Sequence, residues 1–362
     1  MLSTRSFIVS AVLLLFTLSA CSQSAPAEVA SAPADGPSAN LDAVKTYAMQ
    51  NAVQMQAGAS DLHQTAQAYY DLMAEYGFDY EAAWAANPDE LAGLVSDAKA
   101  AWITASQYYE LDEGIIAGVP SLASYDVWID AGPSKAEAPS EAREWVLELP
   151  DGRELDSPGN FFHSLLEPTI WGTTEEYTGL AVDLDGSGTI ELGEALPEAN
   201  MLLGASAGLD DATAQMIAAI EVWQPTVSDA FTALVVMIPT MNEYFEQWKL
   251  SAYVAGETSE EVAFIGSSRL FDITNILNGL NVAYDNVSVL VEEADPDQHA
   301  QIVDGFADLR GYVDDLYNQE LAGEIFNARQ AELFGTEAQD KATSLAGQVA
   351  QVAAQLKITI EE

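Results

Sequence analysis

A run of acidic and hydroxyl side chains between residues 183 and 194 has the spacing of an EF-hand calcium loop. Its ligand positions one, three, five, seven, nine and twelve are filled by Asp183, Asp185, Ser187, Thr189, Glu191 and Glu194. Gly188 occupies the sixth position, where such a loop turns sharply, and Thr189 would offer its backbone carbonyl. Calcium takes about six to eight hard oxygen ligands, so the pattern predicts a calcium site. The alternative is an acidic surface turn in a very acidic protein.

The flanks of this loop favour a structural calcium site over a sensor. Sensor loops of this kind come in pairs between helices, and the chain has no second loop with the pattern. Gly179 precedes the loop and Pro197 follows it, so neither flank predicts a long regular helix. We therefore expect bound calcium to hold a connection in place.

A second candidate for metal binding is the pair formed by His163 and Glu167. A spacing of four residues places the imidazole and the carboxylate on one face of a helix, where both can bind one metal ion. The alternative is a hydrogen-bonded core histidine, because Phe161 and Phe162 are its neighbours in the chain.

Helical periodicity dominates the chain after residue 41. One apolar stripe is formed by Leu270, Ile273, Leu277, Leu280, Tyr284, Val287 and Val291. Helices with one apolar face pack as antiparallel bundles. The best strand candidate, residues 145–149, is followed by a Pro-Asp-Gly turn and predicts one short hairpin. We predict an all-α fold of two antiparallel helical bundles, residues 41–200 and 201–362, with the calcium loop (183–194) ending the first.

The charge balance excludes several classes of partner. The 362 residues carry 57 acidic and 12 basic side chains, which gives a net charge of −45 at pH 7. Such a chain repels nucleic acid and anionic lipid surfaces and attracts cations. A hydrophobic fraction of 49% also excludes a disordered chain.

The first residues predict an export signal and a lipid anchor. Residues 1–20 combine Arg5, an apolar run and small residues, which is typical of a secretory signal peptide. Leu18-Ser-Ala-Cys21 resembles a bacterial lipobox and predicts lipidation of Cys21; an ordinary signal peptide is the alternative. Residues 21–40 are rich in Ala, Pro and Ser and predict a tether. We expect a membrane-anchored protein of the bacterial cell envelope, facing the periplasm or the surface, with Ser22 favouring the outer membrane.

Several segments resemble the imelysin-like family. Glu167 and Trp171 reproduce the interval between the glutamate of its Gly-x-His-x-x-Glu motif and a following tryptophan. Tyr109-Glu-Leu-Asp-Glu113 resembles the Tyr-Glu-x-x-Glu end of a family helix. Segments 122–130 and 268–279 resemble later motifs of that family. The calcium loop is not part of the family pattern and has the character of an insertion.

The resemblance implies two helical bundles with a metal-binding cleft between them and a role in iron acquisition, as in EfeO-type periplasmic proteins. It implies that iron or another divalent metal is bound by Glu110, Glu113, His163, Glu167, Asp126, Asp130 and Asp272. An envelope iron-uptake permease or receptor would be the partner. The interval from His163 to Glu167 is four residues where the family has three, and one position rotates a helical ligand by about 100°.

Two other functions remain open at this point. The first is a calcium-binding structural or adhesion lipoprotein without a role in iron uptake. The second is a metallopeptidase-like enzyme. The sequence contains no His-Glu-x-x-His zinc motif and only one cysteine, Cys21, so we predict no catalytic residues.

Overall fold

The computed structural model describes residues 38–256, 259 and 263–361. The predicted signal peptide, Cys21 and the tether up to residue 37 lie outside the described residues. The first half is mainly helical. Its elements are α1 (Leu41–Glu75), α2 (Tyr80–Ala86), α3 (Pro88–Ile116), α4 (Ala123–Ile129), a π-helical turn (Phe161–Leu166), α5 (Glu167–Ile170) and α6 (Ala199–Val222). Asn40 caps α1 by accepting a hydrogen bond from the N–H of Ala43, and Pro88 starts α3, where a missing N–H is tolerated.

The second half is also helical. Its helices are α7 (Val227–Met237), α8 (Met241–Leu250), α9 (Ala252–Ala255), α10 (Arg269–Ala294), α11 (Pro296–Leu321) and α12 (Ala328–Leu356). Capping boxes formed by Thr226 with Asp229 and by Asn327 with Gln330 fix where α7 and α12 begin. No helix within the described ranges is long and apolar enough to span a lipid bilayer.

Two hydrophobic cores confirm the predicted all-α fold of two bundles. The first core contains α1, α3 and α6, and the second contains α7, α8, α10, α11 and α12. The predicted boundary near residue 200 divides the chain before α6, whereas α6 packs along α1 and its buried residues belong to the first core. The apolar face of α6, with Leu209 and Met216, is buried there. The change of core therefore falls along α7, where Ala230 belongs to the second core and Ala233 to the first.

Two short hairpins interrupt the helices in the described part of the chain. Strand β1 (Val146–Glu148) pairs antiparallel with β2 (Glu154–Asp156), which confirms the hairpin predicted around residues 145–152. Strand β3 (Thr178–Ala181) pairs antiparallel with β4 (Ala195–Pro197). The sequence did not predict this second hairpin, because its strands are short and are separated by the 183–194 loop. The loop therefore lies at the tip of a hairpin rather than between two helices.

Helices α3 and α10 pack closely across the two bundles. At Gly279 a Cβ atom would lie 2.3 Å from the backbone oxygen of Leu111, so only glycine allows the two backbones to approach this far. Glu110 and Glu113 follow each other by one turn on α3, and Arg269 and Asp272 do so at the start of α10. The close crossing brings these four charged side chains together.

Candidate metal centre

A cluster of buried ionisable side chains lies where α3 and α10 meet. It contains all seven residues implied by the family resemblance, and each of them is at most 9% exposed: Glu110, Glu113, Asp126, Asp130, His163, Glu167 and Asp272. Helix α3 supplies two of them, the end of α4 supplies Asp126 and Asp130, and the π-helical turn supplies His163. Distant parts of the sequence thus converge on one desolvated site.

His163 is held by carboxylates on both ring nitrogens. Its Nδ1 lies 2.7 Å from Oε2 of Glu167, and its Nε2 lies 3.1 Å from Oδ1 of Asp130, poorly aligned for a hydrogen bond. A proton on Nδ1 that is donated to Glu167 leaves Nε2 as the atom that can bind a metal. The side-chain oxygen of Asn160 caps the turn by accepting the backbone N–H of His163.

The carboxylate of Glu167 is not placed to bind a metal. Its Oε1 accepts hydrogen bonds from the N–H groups of Ile265 and Gly266, and its Oε2 accepts one from the N–H of Phe264. With His163 as a fourth partner, both oxygens are occupied. Glu167 therefore acts as a positioning residue: it orients the imidazole and fixes residues 264–266 of the second half.

The π-helical turn explains why the longer His163–Glu167 interval preserves this contact. In the family pattern the interval is three residues, and one extra residue rotates a helical side chain by about 100°. Here residues 161–166 form a π-helix, whose wider turn accommodates one additional residue. Pro168, which has no N–H to donate, follows in the first turn of α5. The expected displacement of the histidine does not occur.

Free ligand atoms face one another inside the cluster. Both carboxylate oxygens of Glu110, Oε2 of Glu113, Oδ1 of Asp130 and Nε2 of His163 accept or donate no hydrogen bond among the described residues. Ligand atoms of Glu110, Asp130 and His163 lie within 4.8 Å of one another, as do those of Glu113, Asp126 and Asp130. Because unpartnered buried polar atoms are costly, this arrangement could hold a metal ion.

Arg269 is a member of the cluster that the sequence analysis missed. Its Nη1 donates to Oδ2 of Asp272 at 2.9 Å and lies 3.9 Å from Oε1 of Glu110. Its guanidinium also stacks over Tyr244 and Phe264, with distances of 4.7 and 4.3 Å to the ring centroids. Asp272 therefore belongs to the cluster but is already paired with Arg269. In the sequence, the signal for Arg269 is its position three residues before Asp272 at the start of a helix.

Two tyrosines donate hydrogen bonds to the carboxylates from outside the cluster. Tyr109 Oη donates to Oδ1 of Asp126 at 2.6 Å, and Tyr244 Oη donates to Oε1 of Glu113. Each bond orients its carboxylate and leaves the other oxygen of that group for a metal.

Burial and neighbouring charges shift the pKa values of the cluster in different directions. Burial raises the pKa of Glu113 to about 7, and the charge of Asp130 adds to this. Burial also raises the pKa of Glu110 and Asp126 well above the usual range, with further contributions from neighbouring carboxylates. Burial alone would lower the pKa of His163, but Asp130 and Glu167 outweigh it and raise it to about 10. Without metal, protons therefore occupy part of the cluster.

These shifts predict that the metal-free protein loses stability as the pH rises from about 5 to 9. Glu113 titrates near 7 in the folded protein and at 4.5 ordinarily, so the folded state binds more protons in between. His163 acts in the same direction between 6.5 and about 10. Each group contributes a slope on the order of 1 kcal/mol per pH unit.

The measurement is the melting temperature in the presence of a chelator at several pH values. Glu113→Gln should flatten the decrease between pH 5 and 7, because the variant no longer titrates there. A melting temperature that rises steadily over the same range would contradict the prediction.

Two cavities reach the cluster from the surface. The smaller, of about 290 Å³, is lined by Glu113, Asp126, Asp130 and Arg269. The larger, of about 610 Å³, extends toward the β1–β2 hairpin. His163 and Phe264 line both cavities, so the histidine is approachable from either side.

The 183–194 loop brings three of its six predicted ligand residues together. Ligand oxygens of Asp183, Asp185 and Glu194 lie within 4.8 Å of one another. The carboxylate of Asp183 accepts the N–H groups of residues 186, 187 and 188, and that of Glu194 accepts those of residues 184, 185 and 191. Ser187 Oγ instead contacts the backbone oxygen of Thr189, and Glu191 is outside the group of three. The backbone of Gly193 packs against the Trp171 ring.

One hydrolase-like spacing in the sequence has no catalytic geometry. Gly204-Ala-Ser206-Ala-Gly208 fits a Gly-x-Ser-x-Gly pattern. A nucleophile elbow requires a sharp turn between a strand and a helix, whereas these residues lie inside α6. Ser206 Oγ is buried and donates to the backbone oxygen of Leu203, and both glycines serve close packing against Leu149 and Phe161.

Comparison with known proteins identifies the family of this chain. The family model described as imelysin (Peptidase_M75) matches residues 166–357, which is more than half of the chain. The matched region contains Glu167, Arg269 and Asp272, whereas His163 and the ligands on α3 and α4 precede it. No curated protein sequence matches the chain. With its two helical bundles and the buried cluster between α3 and α10, this chain belongs to the imelysin family.

Proposed function

We propose that this protein binds iron, or another divalent transition metal, in the buried cluster and serves metal acquisition at the bacterial cell envelope. The observation that carries the proposal is the convergence of Glu110, Asp130 and His163. Their free ligand atoms lie within 4.8 Å of one another, are desolvated, and lack hydrogen-bond partners in the described part of the chain. Only a cation or protons can compensate such a group.

The donor chemistry supports iron over softer metals. Carboxylates dominate the cluster and one imidazole completes it, a combination that suits Fe(II) and Mn(II), whereas thiolates would favour zinc or copper(I). A role in binding rather than bond cleavage is part of the proposal. The alternative is a metallopeptidase-like enzyme, in which the same metal would activate a water molecule.

The N-terminal sequence supports the envelope location. The signal-like residues 1–20, the lipobox-like cysteine and the Ala/Pro/Ser-rich tether are those of a lipid-anchored protein. In this proposal the domain is held outside the cytoplasm by Cys21, on the outer membrane, and passes metal to an envelope permease or receptor of the EfeO-associated type. Its charge of −45 would attract cations to the domain.

A calcium ion in the 183–194 loop forms the second part of the proposal. The EF-hand spacing and the convergence of Asp183, Asp185 and Glu194 support it. Because the loop closes the β3–β4 hairpin, calcium there would stabilise the connection between α5 and α6. Calcium alone would leave a structural or adhesion lipoprotein as the function.

The test is a metal titration of the full chain after chelation, with Fe(II) under anaerobic conditions and separately with Ca(II). We expect His163→Ala to lower the Fe(II) affinity by at least about 100-fold, because it removes a direct ligand. Calcium affinity should be unchanged in that variant and lost in Asp183→Ala/Glu194→Ala. Calorimetry measures both affinities.

His63→Ala is the matched control, since this histidine is 36% exposed and lies on α1 away from the cluster. It should bind Fe(II) as the unaltered protein does. Equal Fe(II) affinity in the two histidine variants would refute the proposed iron site, and hydrolysis of peptides by the metal-loaded protein would favour the enzyme alternative.

A further inference from the structure

The buried cluster contains two ligand groups that share one residue. Glu110, Asp130 and His163 form the first group, and Glu113, Asp126 and Asp130 form the second. Within each group the ligand atoms lie within 4.8 Å of one another. A carboxylate has two oxygens and can contact two cations at once. Asp130 therefore has the position of a bridge.

Unpartnered atoms are found on both sides of this bridge. Glu110 contributes two oxygens without a hydrogen bond and His163 contributes Nε2, which lies 3.1 Å from Oδ1 of Asp130, to the first group. Glu113 contributes Oε2, which has no hydrogen bond, to the second. These side chains are at least nine-tenths buried. Buried polar atoms are normally satisfied, so free acceptors in both groups indicate two ligands rather than one.

The hydrogen bonds around the second group leave one oxygen of each carboxylate available. Tyr244 occupies Oε1 of Glu113 and leaves Oε2, and Tyr109 occupies Oδ1 of Asp126 and leaves the other oxygen. Such outer hydrogen bonds orient metal ligands without competing for the metal. The second group therefore has the arrangement of a set of metal ligands. It is more than a group of charges that surrounds the first.

The charge of the cluster, with all carboxylates ionised, is large enough for more than one cation. Six buried carboxylates surround the guanidinium of Arg269 and the imidazole of His163. When His163 is neutral, one divalent cation and Arg269 offset three of the six negative charges. A second divalent cation reduces the remainder to a single charge, and uncompensated buried charge is strongly unfavourable.

We propose that the cluster is a dinuclear metal centre, in which Asp130 bridges one divalent cation bound by Glu110 and His163 and a second bound by Glu113 and Asp126. This inference rests on the proposed metal-binding function and extends it to two ions. Carboxylate-bridged pairs of iron or manganese occur in helical bundles, and paired metals lie about 3.5–4 Å apart.

The test uses the full chain carrying Asp183→Ala/Glu194→Ala, so that the hairpin loop does not contribute bound metal. The metal-free protein is dialysed against Mn(II), bound metal is counted per chain, and electron paramagnetic resonance is recorded. We expect two Mn(II) ions per chain and the spectrum of a magnetically coupled pair, because the ions share a carboxylate.

Each alternative outcome separates the two proposals. One Mn(II) per chain with an uncoupled spectrum overturns the dinuclear centre and leaves the proposed function intact. Two uncoupled ions overturn the bridging role of Asp130. No bound metal overturns both proposals.

Single substitutions test the assignment of ligands. Glu113→Gln should bind one Mn(II) instead of two and lose the coupled spectrum, and Asp130→Asn should weaken both ions by at least about tenfold. Asp112→Asn is the matched control: this buried acid lies on α3 between the two glutamates but contacts Asn51 of α1. It should retain two coupled ions. Melting temperatures of all variants show whether each is folded, and two coupled ions in folded Glu113→Gln would refute the assignment.

Discussion

Glu167→Gln is expected to destabilise the protein by about 3–5 kcal/mol and to weaken metal binding by about 10–100-fold. Both oxygens of Glu167 accept hydrogen bonds, three from backbone N–H groups and one from His163. A glutamine replaces one acceptor with an NH₂ donor, which then faces N–H groups in either orientation. The loss of stability is therefore large for so small a change in shape.

The effect on metal affinity has a separate cause. If the glutamine NH₂ faces His163, the imidazole must accept at Nδ1 and carry its proton on Nε2, the atom that faces Asp130. A protonated Nε2 cannot bind a metal. Urea unfolding measures the first effect and metal titration the second. Glu175→Gln, an exposed change before β3, should alter stability by no more than about 0.5 kcal/mol. Wild-type stability and affinity in Glu167→Gln would contradict this role.

Arg269→Met should destabilise the metal-free protein by about 3–5 kcal/mol and make its stability much more dependent on bound metal. Arg269 is 3% exposed, pairs with Asp272 and lies near Glu110. Removing its charge leaves the carboxylates without their fixed cation, whereas methionine keeps much of the packing against Tyr244 and Phe264. Metal should therefore raise the melting temperature of the variant by more than that of the unaltered protein.

Two further variants make this result specific. Arg269→Lys keeps the charge and should lose less stability, although it cannot reproduce the planar contacts of the guanidinium. Arg329→Met replaces an exposed arginine on α12 and should have little effect. If metal stabilised Arg269→Met and the unaltered protein equally, the guanidinium would not serve as the compensating charge.

The sequence was sufficient to predict the fold class, and the family resemblance implied seven members of the cluster but not Arg269. Apolar periodicity determines which helices form, and the two cores follow from it. The bundle boundary could not be placed, because α6 follows the hairpin but has an apolar face that complements α1. Periodicity shows that a face is buried without showing which helix covers it.

The roles within the cluster were less predictable than its members. Glu167 has the chemistry of a ligand, and only the backbone N–H groups of residues 264–266, nearly a hundred positions later, show that its oxygens are occupied. The π-helical turn likewise depends on packing around His163 and on Pro168. Arg269 was missed because its spacing of three residues from Asp272 is compatible with an ion pair but does not show that the pair is buried.

The free donor atoms of the cluster all precede residue 166, whereas the groups that restrain and neutralise them, Arg269 and residues 264–266, belong to the second half of the chain. Neither half of the chain contains both the free donor atoms and the groups that restrain and neutralise them. If the cluster binds metal as proposed, separation of α3 from α10 would release the metal while both bundles stayed folded, so metal retention would report whether the two helices remain in contact.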